Sequence, residues 1–225
     1  MELQFLGHAC LLINTESSKI LIDPFISGNP LAKGIDIESI QADYILLTHA
    51  HQDHILDVEK IAKNNDLTLV SNFEIVNYFQ EKGIKGHPMN HGGSWEFPFG
   101  TITYTPAIHT SSFPDGTYGG QPGGFLIKAD NKTVYIAGDT ALTYDMKLIP
   151  LRHQLDVAVL PIGDNFTMGI EDALIASDFL KCDKVLGVHY DTFGYIEIDH
   201  SKAINRFRER QKELILLKIS DSISI

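Results

Sequence analysis

The segment HAHQDH at residues 49–54 places three histidines and an aspartate side by side in the chain. It directly follows the apolar run YILL at residues 44–47, which is short, continuous and β-prone and therefore predicts a buried strand. The next residues, 55–62, have apolar side chains at helical spacing. The histidine-rich segment therefore falls on a turn between a strand and a helix, where several polar side chains are held close together.

The geometry of such a turn predicts two groups of metal ligands. Residues two apart near the end of a strand point to the same side, which brings His49 and His51 together. The direction changes as the helix begins, so Asp53 and His54 face a second point nearby. Neutral imidazole and carboxylate are preferred ligands of zinc and similar divalent ions. The alternative is a polar helix-capping loop that is rich in histidine by chance, and the density of the pattern favours the metal site.

Other candidate ligands occupy the same kind of position along the chain. Asp23, Asp139 and His189 each stand at, or just after, the end of an apolar run. His109 follows the β-prone run TITYT at residues 101–105. Strand ends that share one edge of a sheet place their side chains around a common point, so these residues are expected to meet at the metal site.

The HAHQDH segment resembles the His-x-His-x-Asp-His signature of the metallo-β-lactamase superfamily, and the resemblance runs from about residue 3 to about residue 195. It implies an α+β fold, a four-layer αββα sandwich with the metals at one edge, in which residues 1–225 form a single hydrolase domain. Within the superfamily, the GHA run at residues 7–9 and the DNFTMG run at residues 164–169 look like a branch of metal-dependent hydrolases similar to the ascorbate-6-phosphate lactonases.

The resemblance implies two divalent metal ions held by seven residues. These are His49, His51 and His109 for one ion, Asp53, His54 and His189 for the other, and Asp139 as the bridge between them. Two cations acidify a water that they share, so the implied nucleophile is a bridging hydroxide. Asp139 and Asp53 are then the catalytic carboxylates, and the proton for the leaving group comes from Asp53 or from a water on the second metal. Asp23 is expected to orient a ligand imidazole rather than to bind metal.

The donor set indicates which metals fit. No cysteine is among the proposed ligands, so Zn²⁺ is the expected ion, with Mn²⁺ or Fe²⁺ as alternatives in a site of nitrogen and oxygen donors. Branches of this fold that perform di-iron redox chemistry carry a glutamate at the position of His51. The histidine found here favours hydrolysis.

Four further residues are candidate substrate contacts, and each has a structural alternative: His8, His91, Asn165 and Thr167. His8 matches the lactonase-like branch, but a structural histidine at a strand junction explains it nearly as well. His91 could line the pocket or belong to a glycine-rich turn. A plain strand-to-helix loop explains Asn165 and Thr167 as well as a substrate contact does.

The charge balance bears on the partners. Lys and Arg total 18 and Asp and Glu total 29, which gives a net charge of −11. Such a surface repels polyanions, so a small-molecule substrate is expected and nucleic acid is not. The chain opens on a strand pattern and has no apolar run of membrane-spanning length, so a cytoplasmic protein with no membrane partner is expected. The sequence leaves open whether the chain forms a homo-oligomer.

The predicted function is a dinuclear hydrolase of a small ester, lactone or phosphodiester. One alternative is a metal-dependent sensor or scaffold that binds a small ligand without turnover, and another is a nucleic-acid-processing phosphodiesterase. All seven ligand positions are filled, which favours an enzyme. Substrate choice is expected to lie in loops such as 25–40 and 111–124, of which the second is rich in glycine and predicts a mobile loop over the metals.

Overall fold

Two seven-stranded β-sheets form the centre of the molecule. The structure is a computed structural model that describes residues 1–225. The strands are, in chain order, β1 (Glu2–Gly7), β2 (Cys10–Asn14), β3 (Lys19–Ile22), β4 (Tyr44–Leu46), β5 (Thr68–Asn72), β6 (Gly86–Met89), β7 (Ser94–Phe97), β8 (Gly100–Pro106), β9 (Gly123–Ala129), β10 (Lys132–Ile136), β11 (Val157–Pro161), β12 (Lys184–Val188), β13 (Glu213–Ile215) and β14 (Ser222–Ser224).

Helices cover the outer faces of both sheets. The α-helices are α1 (Gln52–Ile55), α2 (Val58–Ala62), α3 (Phe73–Gln80), α4 (Ile170–Leu180) and α5 (His200–Glu209), and short 3₁₀ helices span Ile37–Ser39, Tyr144–Leu151 and Gly194–Ile196. None of these helices is both long and apolar enough to cross a membrane.

Each sheet combines an antiparallel part with a parallel part. The first sheet has the order β14-β1-β2-β3-β4-β5-β6, with antiparallel pairs from β14 to β3 and parallel pairs from β3 to β6. The second has the order β13-β12-β11-β10-β9-β8-β7, with parallel pairs from β13 to β10 and antiparallel pairs from β10 to β7. Parallel neighbours need a crossover connection, which is why the helices follow the parallel strands.

Three apolar clusters separate four layers of structure. One cluster lies between the sheets and contains Leu46 of β4 and Ile136 of β10. A second packs the outer face of the first sheet, through residues such as Ile45, against Ile75 of α3. A third lies between the second sheet and the helices α4 and α5. Neighbours in a strand face opposite sides, so Ile45 and Leu46 enter different clusters. The predicted α+β fold, an αββα sandwich, is confirmed.

The strands that precede the candidate ligands end at a common edge of their sheet. β3 and β4 are parallel, β8 and β10 run in the same direction across β9, and β10 and β12 are parallel through β11. The polar residues that follow these strands are Asp23 after β3, residues 49–54 after β4, His109 after β8, Asp139 after β10 and His189 after β12. The loops at this edge therefore carry the site.

The helix predicted over residues 55–62 is interrupted. α1 ends at Ile55, α2 begins at Val58, and the buried Asp57 lies between them. The Asp57 carboxylate accepts hydrogen bonds from the backbone N–H groups of Ile26, at 2.6 Å, and Ser27, at 2.9 Å. This break ties the loop after β3 to the histidine-rich turn.

The strand predicted over residues 214–219 is shorter in the structure. The apolar run over residues 214–219 predicts one strand, but β13 stops at Ile215 and the chain crosses to the first sheet. There Ser220, in a left-handed conformation with φ 75°, donates its N–H to the Phe5 carbonyl at 2.7 Å. The unforeseen β14 then pairs with β1.

Candidate metal centre

The candidate ligands meet at the shared edge in two groups. The ligand atoms of each group lie within 4.8 Å of one another; the trihistidine group is His49, His51 and His109, and the mixed group is His8, Asp53, His54 and His189. A third set, His49, His54 and Asp139, overlaps both groups. The structure therefore brings together all seven residues that the sequence predicts as ligands, and adds His8 to them.

In the trihistidine group the ring nitrogens converge. His49 Nε2 lies 3.0 Å from His51 Nδ1. The ring of His109 stands 5.1 Å from each of the other two rings, nearly perpendicular to both. His49 is buried at the base of the group, whereas His51 and His109 are partly open to solvent. The group therefore has a closed side and an open side.

The mixed group is arranged around Asp53. The Oδ2 atom of Asp53 lies 3.7 Å from His189 Nε2 and 3.8 Å from His54 Nε2. The rings of His54 and His189 are stacked at 5.8 Å, with 17° between their planes. Both rings are buried, whereas the side chain of Asp53 is 27% exposed.

Asp139 lies between the two groups. Its Oδ2 atom is 3.0 Å from Nε2 of His189 and 3.4 Å from Nε2 of His54. The same atom is 3.6 Å from Nε2 of His109 and 3.9 Å from Nε2 of His49. One carboxylate oxygen thus faces two imidazoles of each group.

The centre contains buried polar atoms without hydrogen-bond partners. These atoms are Oδ1 of Asp139, Nε2 of His54, and Nδ1 and Nε2 of His189. His189 Nε2 is close to Asp139 Oδ2 but is not aligned for a hydrogen bond. Most buried polar atoms in native proteins are paired. Imidazole nitrogens and carboxylate oxygens that converge without partners suit divalent ions such as Zn²⁺, Mn²⁺ or Fe²⁺.

Asp23 is hydrogen-bonded directly to His54 of the mixed group and is connected to His49 of the trihistidine group through Thr48. Its carboxylate accepts hydrogen bonds from the Thr48 N–H at 2.8 Å and the Thr48 hydroxyl at 2.7 Å, and from His54 Nδ1 at 2.9 Å. The Thr48 hydroxyl, having donated to Asp23, accepts from His49 Nδ1 at 3.0 Å. Nε2 of both histidines is therefore left as the atom that faces a metal.

His8 lies beneath the mixed group and does not face an open pocket. Its side chain is fully buried, and its ring centre is 4.1 Å from that of His189. His8 Nε2 donates to Asp53 Oδ2 at 3.0 Å, and its Nδ1 accepts from the Thr192 hydroxyl at 3.0 Å. Both ring nitrogens have hydrogen-bond partners, which favours the structural alternative for His8 over a polar contact with substrate. The hydrogen bond from His8 therefore positions the carboxylate of Asp53.

Burial and neighbouring charges separate the two groups electrostatically. Burial is the main cause that lowers the pKa of every histidine in the trihistidine group. Burial acts in the same direction on His54 and His189, but the attraction of Asp139 and Asp53 outweighs it. The pKa of His54 is raised well above its ordinary value, and that of His189 is raised to about 9. Burial of His8 lowers its pKa to about 4.

The two carboxylates of the centre are held in their ionised form. Burial by itself would raise the pKa of Asp139, but the attraction of His189 and His54 holds it well below its usual range. The pKa of Asp53 is lowered in the same way, against burial, by the attraction of His54, by the nearby imidazole of His189 and by the hydrogen bond from His8. Negative charge is thus fixed where a cation would sit.

The remaining candidate contacts, His91, Asn165 and Thr167, belong to neither ligand group. His91 donates from Nε2 to the Pro122 carbonyl at 2.9 Å, stacks on Tyr104 and is outside both groups. Asn165 is exposed and Thr167 is half-buried in the loop after β11. The N–H of Met168 in this loop donates to the carbonyl of Thr140, the residue after Asp139, at 3.1 Å.

Residues 111–122, within the segment 111–124 that is predicted to be a mobile loop over the metals, are hydrogen-bonded to the histidine-rich turn. The Ser111 hydroxyl accepts from the Ala50 N–H at 3.1 Å and donates to the Gly119 carbonyl at 2.9 Å. Asn72 Nδ2 also donates to Gly119, at 2.8 Å. A Cβ on Gly119 would lie 2.4 Å from the Cβ of Ala50, so glycine is required where the loop meets the histidine-rich turn.

Several features of the centre have no clear signal in the sequence. His8, Asp23 and His189 adopt positive φ values of 55°, 42° and 57°, which non-glycine residues rarely do and which cost about 1–3 kcal/mol each. Thr48 and Thr192 are also part of the support. Thr48 immediately precedes the HAHQDH segment, which is the one hint available for it, whereas Thr192 and His8 are far apart along the chain.

Comparisons with known proteins agree with this architecture. A family description, the Beta-lactamase superfamily domain, matches residues 18–190. A UPF0173 metal-dependent hydrolase from Flavobacterium johnsoniae is 62% identical over 225 residues, which is 100% of both chains. One from Christiangramia forsetii is 63% identical over 226 residues, again 100% of both chains. The solved structure of Igni18, a metallo hydrolase from the archaeon Ignicoccus hospitalis, is 32% identical, with a TM-score of 0.90 over 99% of this chain and 97% of that one.

Proposed function

The chain belongs to the β-lactamase superfamily, and on that premise we propose that it is a hydrolase with two divalent metal ions, Zn²⁺ by default, one at each ligand group. The proposed substrate is a small ester, lactone or phosphodiester. The position of Asp139 carries the proposal, because its Oδ2 atom lies 3.0 to 3.9 Å from two imidazoles of each group. A carboxylate between two sets of nitrogen ligands suits a bridge.

The chemistry divides between the ions and the chain. Two divalent ions held here would acidify a water and polarise the oxygen of the scissile group. The chain fixes the donor atoms: Asp23 sets which nitrogen of His49 and His54 is free, and His8 holds Asp53. Asp53 is 27% exposed and Asp139 is 3% exposed. Of the two carboxylates, Asp53 is therefore the one placed to take up a proton and relay it to a leaving group.

Both sheets supply ligands to each ion in this proposal. The first sheet supplies the residues after β4, and the second supplies those after β8, β10 and β12. Neither half of the sandwich could hold the two ions alone. We therefore treat residues 1–225 as a single hydrolase domain.

Metal titration tests the proposal directly. Protein stripped with a chelator should bind close to two Zn²⁺ per chain, and hydrolysis across a panel of lactones, esters and phosphodiesters should require both ions. His109→Ala should keep one ion, in the mixed group, while Asp172→Asn, a change at an exposed residue of α4, should keep two.

Two results would end the proposal. Saturation at one ion under excess Zn²⁺ and excess Mn²⁺ would refute the dinuclear site. Full metal occupancy with tight binding of panel compounds but no turnover would favour the alternative of a small-ligand sensor.

A further inference from the structure

The loops around the metal centre carry no basic side chain. The segments that follow the strand ends at this edge are residues 23–32, 47–57, 107–122, 137–146, 162–169 and 189–199, and none of them contains Lys or Arg. The chain has 18 such residues elsewhere. Proteins that bind phosphate commonly use Arg or Lys beside it. A phosphorylated or otherwise anionic substrate would find no cationic side chain on these loops.

The same loops instead present exposed aromatic side chains. Phe166, in the loop after β11, is 50% exposed, and Tyr195, in the loop after β12, is 79% exposed. Their rings contact each other edge to face, with centres 6.2 Å apart. A pair of exposed aromatic side chains in contact with each other is suited to hold an apolar group.

The backbone fixes Phe166 and Tyr195 relative to the ligands. Phe166 is two residues from Met168, whose N–H is bonded to the residue after Asp139. Tyr195 lies on the 3₁₀ helix Gly194–Ile196, a few residues after His189. The two loops pack directly: a Cβ on Gly163 would lie 2.2 Å from the His189 carbonyl oxygen and 2.9 Å from the Cβ of Ile196. Tyr195 therefore lies on the segment that delivers His189, and Phe166 lies on a loop that is bonded to Thr140 and packed against His189.

We propose that the substrate is an uncharged carboxylic ester or lactone whose apolar group lies against Phe166 and Tyr195. The proposal rests on the proposed function and narrows it, because it excludes the phosphodiester. In the reaction, the oxygen of water bonds to the acyl carbon and the acyl C–O bond breaks. One proton of the water goes to the departing alkoxide oxygen, which gives an alcohol and a carboxylic acid.

Binding of matched metal-chelating probes tests the aromatic contact without turnover. Acetohydroxamate and benzohydroxamate share a chelating group and differ by a phenyl ring, and 4-carboxybenzohydroxamate adds one negative charge. In the zinc-loaded protein, benzohydroxamate should bind about tenfold more tightly than acetohydroxamate, and the added carboxylate should remove that gain. Titration calorimetry measures all three.

Variants locate the effect. Phe166→Ala and Tyr195→Ala should each reduce the preference for the phenyl probe several-fold and leave acetohydroxamate binding unchanged. Trp95→Ala is the matched control, because Trp95 is 55% exposed on β7, which carries none of the ligands. It should keep the full preference.

Hydrolysis separates failure of this proposal from failure of the proposed function. Ethyl phenylacetate should be cleaved more efficiently than ethyl acetate, with a kcat/KM ratio that falls in Phe166→Ala. Ester cleavage with a ratio that is unchanged in both aromatic variants would overturn the aromatic contact while the hydrolase assignment stands. Equal or tighter binding of 4-carboxybenzohydroxamate would overturn the preference for uncharged compounds. A phenyl preference that depends on Phe166, with no hydrolysis of any ester or phosphodiester, would sustain the contact and end the hydrolase assignment.

Discussion

The two ligand groups differ in charge and in access to solvent, although they lie side by side. The trihistidine group contains no carboxylate of its own, is open on one side, and has histidines whose pKa values are lowered by burial. The mixed group contains Asp53, and its buried His54 and His189 have raised pKa values because Asp139 and Asp53 attract protons to them. One group presents neutral imidazoles, and the other holds protons next to carboxylates.

This difference bears on how metal enters. A cation can bind neutral imidazoles without displacing a proton, whereas His54 and His189 must first release theirs. The mixed group should therefore be the pH-sensitive half of the centre. The two groups are nevertheless connected in two ways. Asp139 faces both of them, and Asp23 is hydrogen-bonded to His54 directly and to His49 through Thr48. Removal of a linking residue should affect both groups, whereas a change to a residue of one group should affect that group alone.

The largest effect is expected from Asp139→Asn, which removes the charge that faces both groups. The amide keeps the size of the side chain but is a poor bridging ligand. Loss of a supporting residue alone typically reduces activity 10- to 100-fold, so loss of this ligand should lower kcat/KM by more than about 100-fold. Metal analysis should show about one ion fewer per chain, and circular dichroism should show that the fold is kept.

The exposed Asp172→Asn is the control for the Asp139 variant, because it makes the same chemical change away from the centre. It should keep wild-type activity and metal content. An Asp139→Asn protein with wild-type turnover and two ions would show that the bridge lies elsewhere and that the two groups act independently.

Asp23→Asn should have the next largest effect, and it should weaken both halves together. Asp23 accepts from His54 Nδ1 directly and acts on His49 through the Thr48 hydroxyl. An amide in its place can donate where only an acceptor fits, which releases the tautomers of both histidines. We expect Zn²⁺ affinity to fall about 10- to 100-fold at each site. Weakening confined to one site in a two-step titration would remove Asp23 as the common support.

The fold and the candidate ligands could be predicted from the sequence because their signals are local. The HAHQDH spacing and the strand ends before Asp23, Asp139 and His189 depend on neighbouring residues alone. A polar residue directly after a buried parallel strand lies at the edge of the sheet where the parallel strands end. That reasoning predicted that the seven candidate ligands lie close together.

The supporting contacts could not be predicted, because they join residues that are distant in the chain. His8 and Thr192 are separated by 184 positions, and nothing local to either residue specifies the other. The break between α1 and α2 has the same origin, since Asp57 caps backbone groups of the loop after β3. The need for glycine at residue 119 has the same origin, because it depends on close packing against the distant Ala50.

His8→Asn perturbs one half alone and should have a smaller effect. Asparagine tolerates the left-handed backbone at this position but is too short to reach Asp53 in the same way. Affinity for the ion in the mixed group should fall about tenfold, and the trihistidine site should be unchanged. Titration with Co²⁺ can follow the two sites separately by absorption. Thr192→Val, which removes the hydroxyl bonded to His8, should act in the same direction and more weakly. Equal weakening of both sites would show that His8 does not belong to one half.

The smallest effect is a pH dependence that separates the groups without mutation. Because the pKa of His54 and His189 is raised, their protonation stabilises the metal-free fold fully below about pH 6.5, and this contribution is lost as the pH rises through about 9 for His189. The trihistidine group, with lowered pKa values, acts in the opposite sense, since its contribution is lost as the pH falls below about 6.5. The Tm of metal-free protein should therefore fall on the order of 5 °C between pH 6.5 and 9. Zinc-loaded protein, in which the ion replaces the protons, should lack this decline in scanning calorimetry. A decline of the same size with zinc bound would show that the titrating groups lie outside the mixed group.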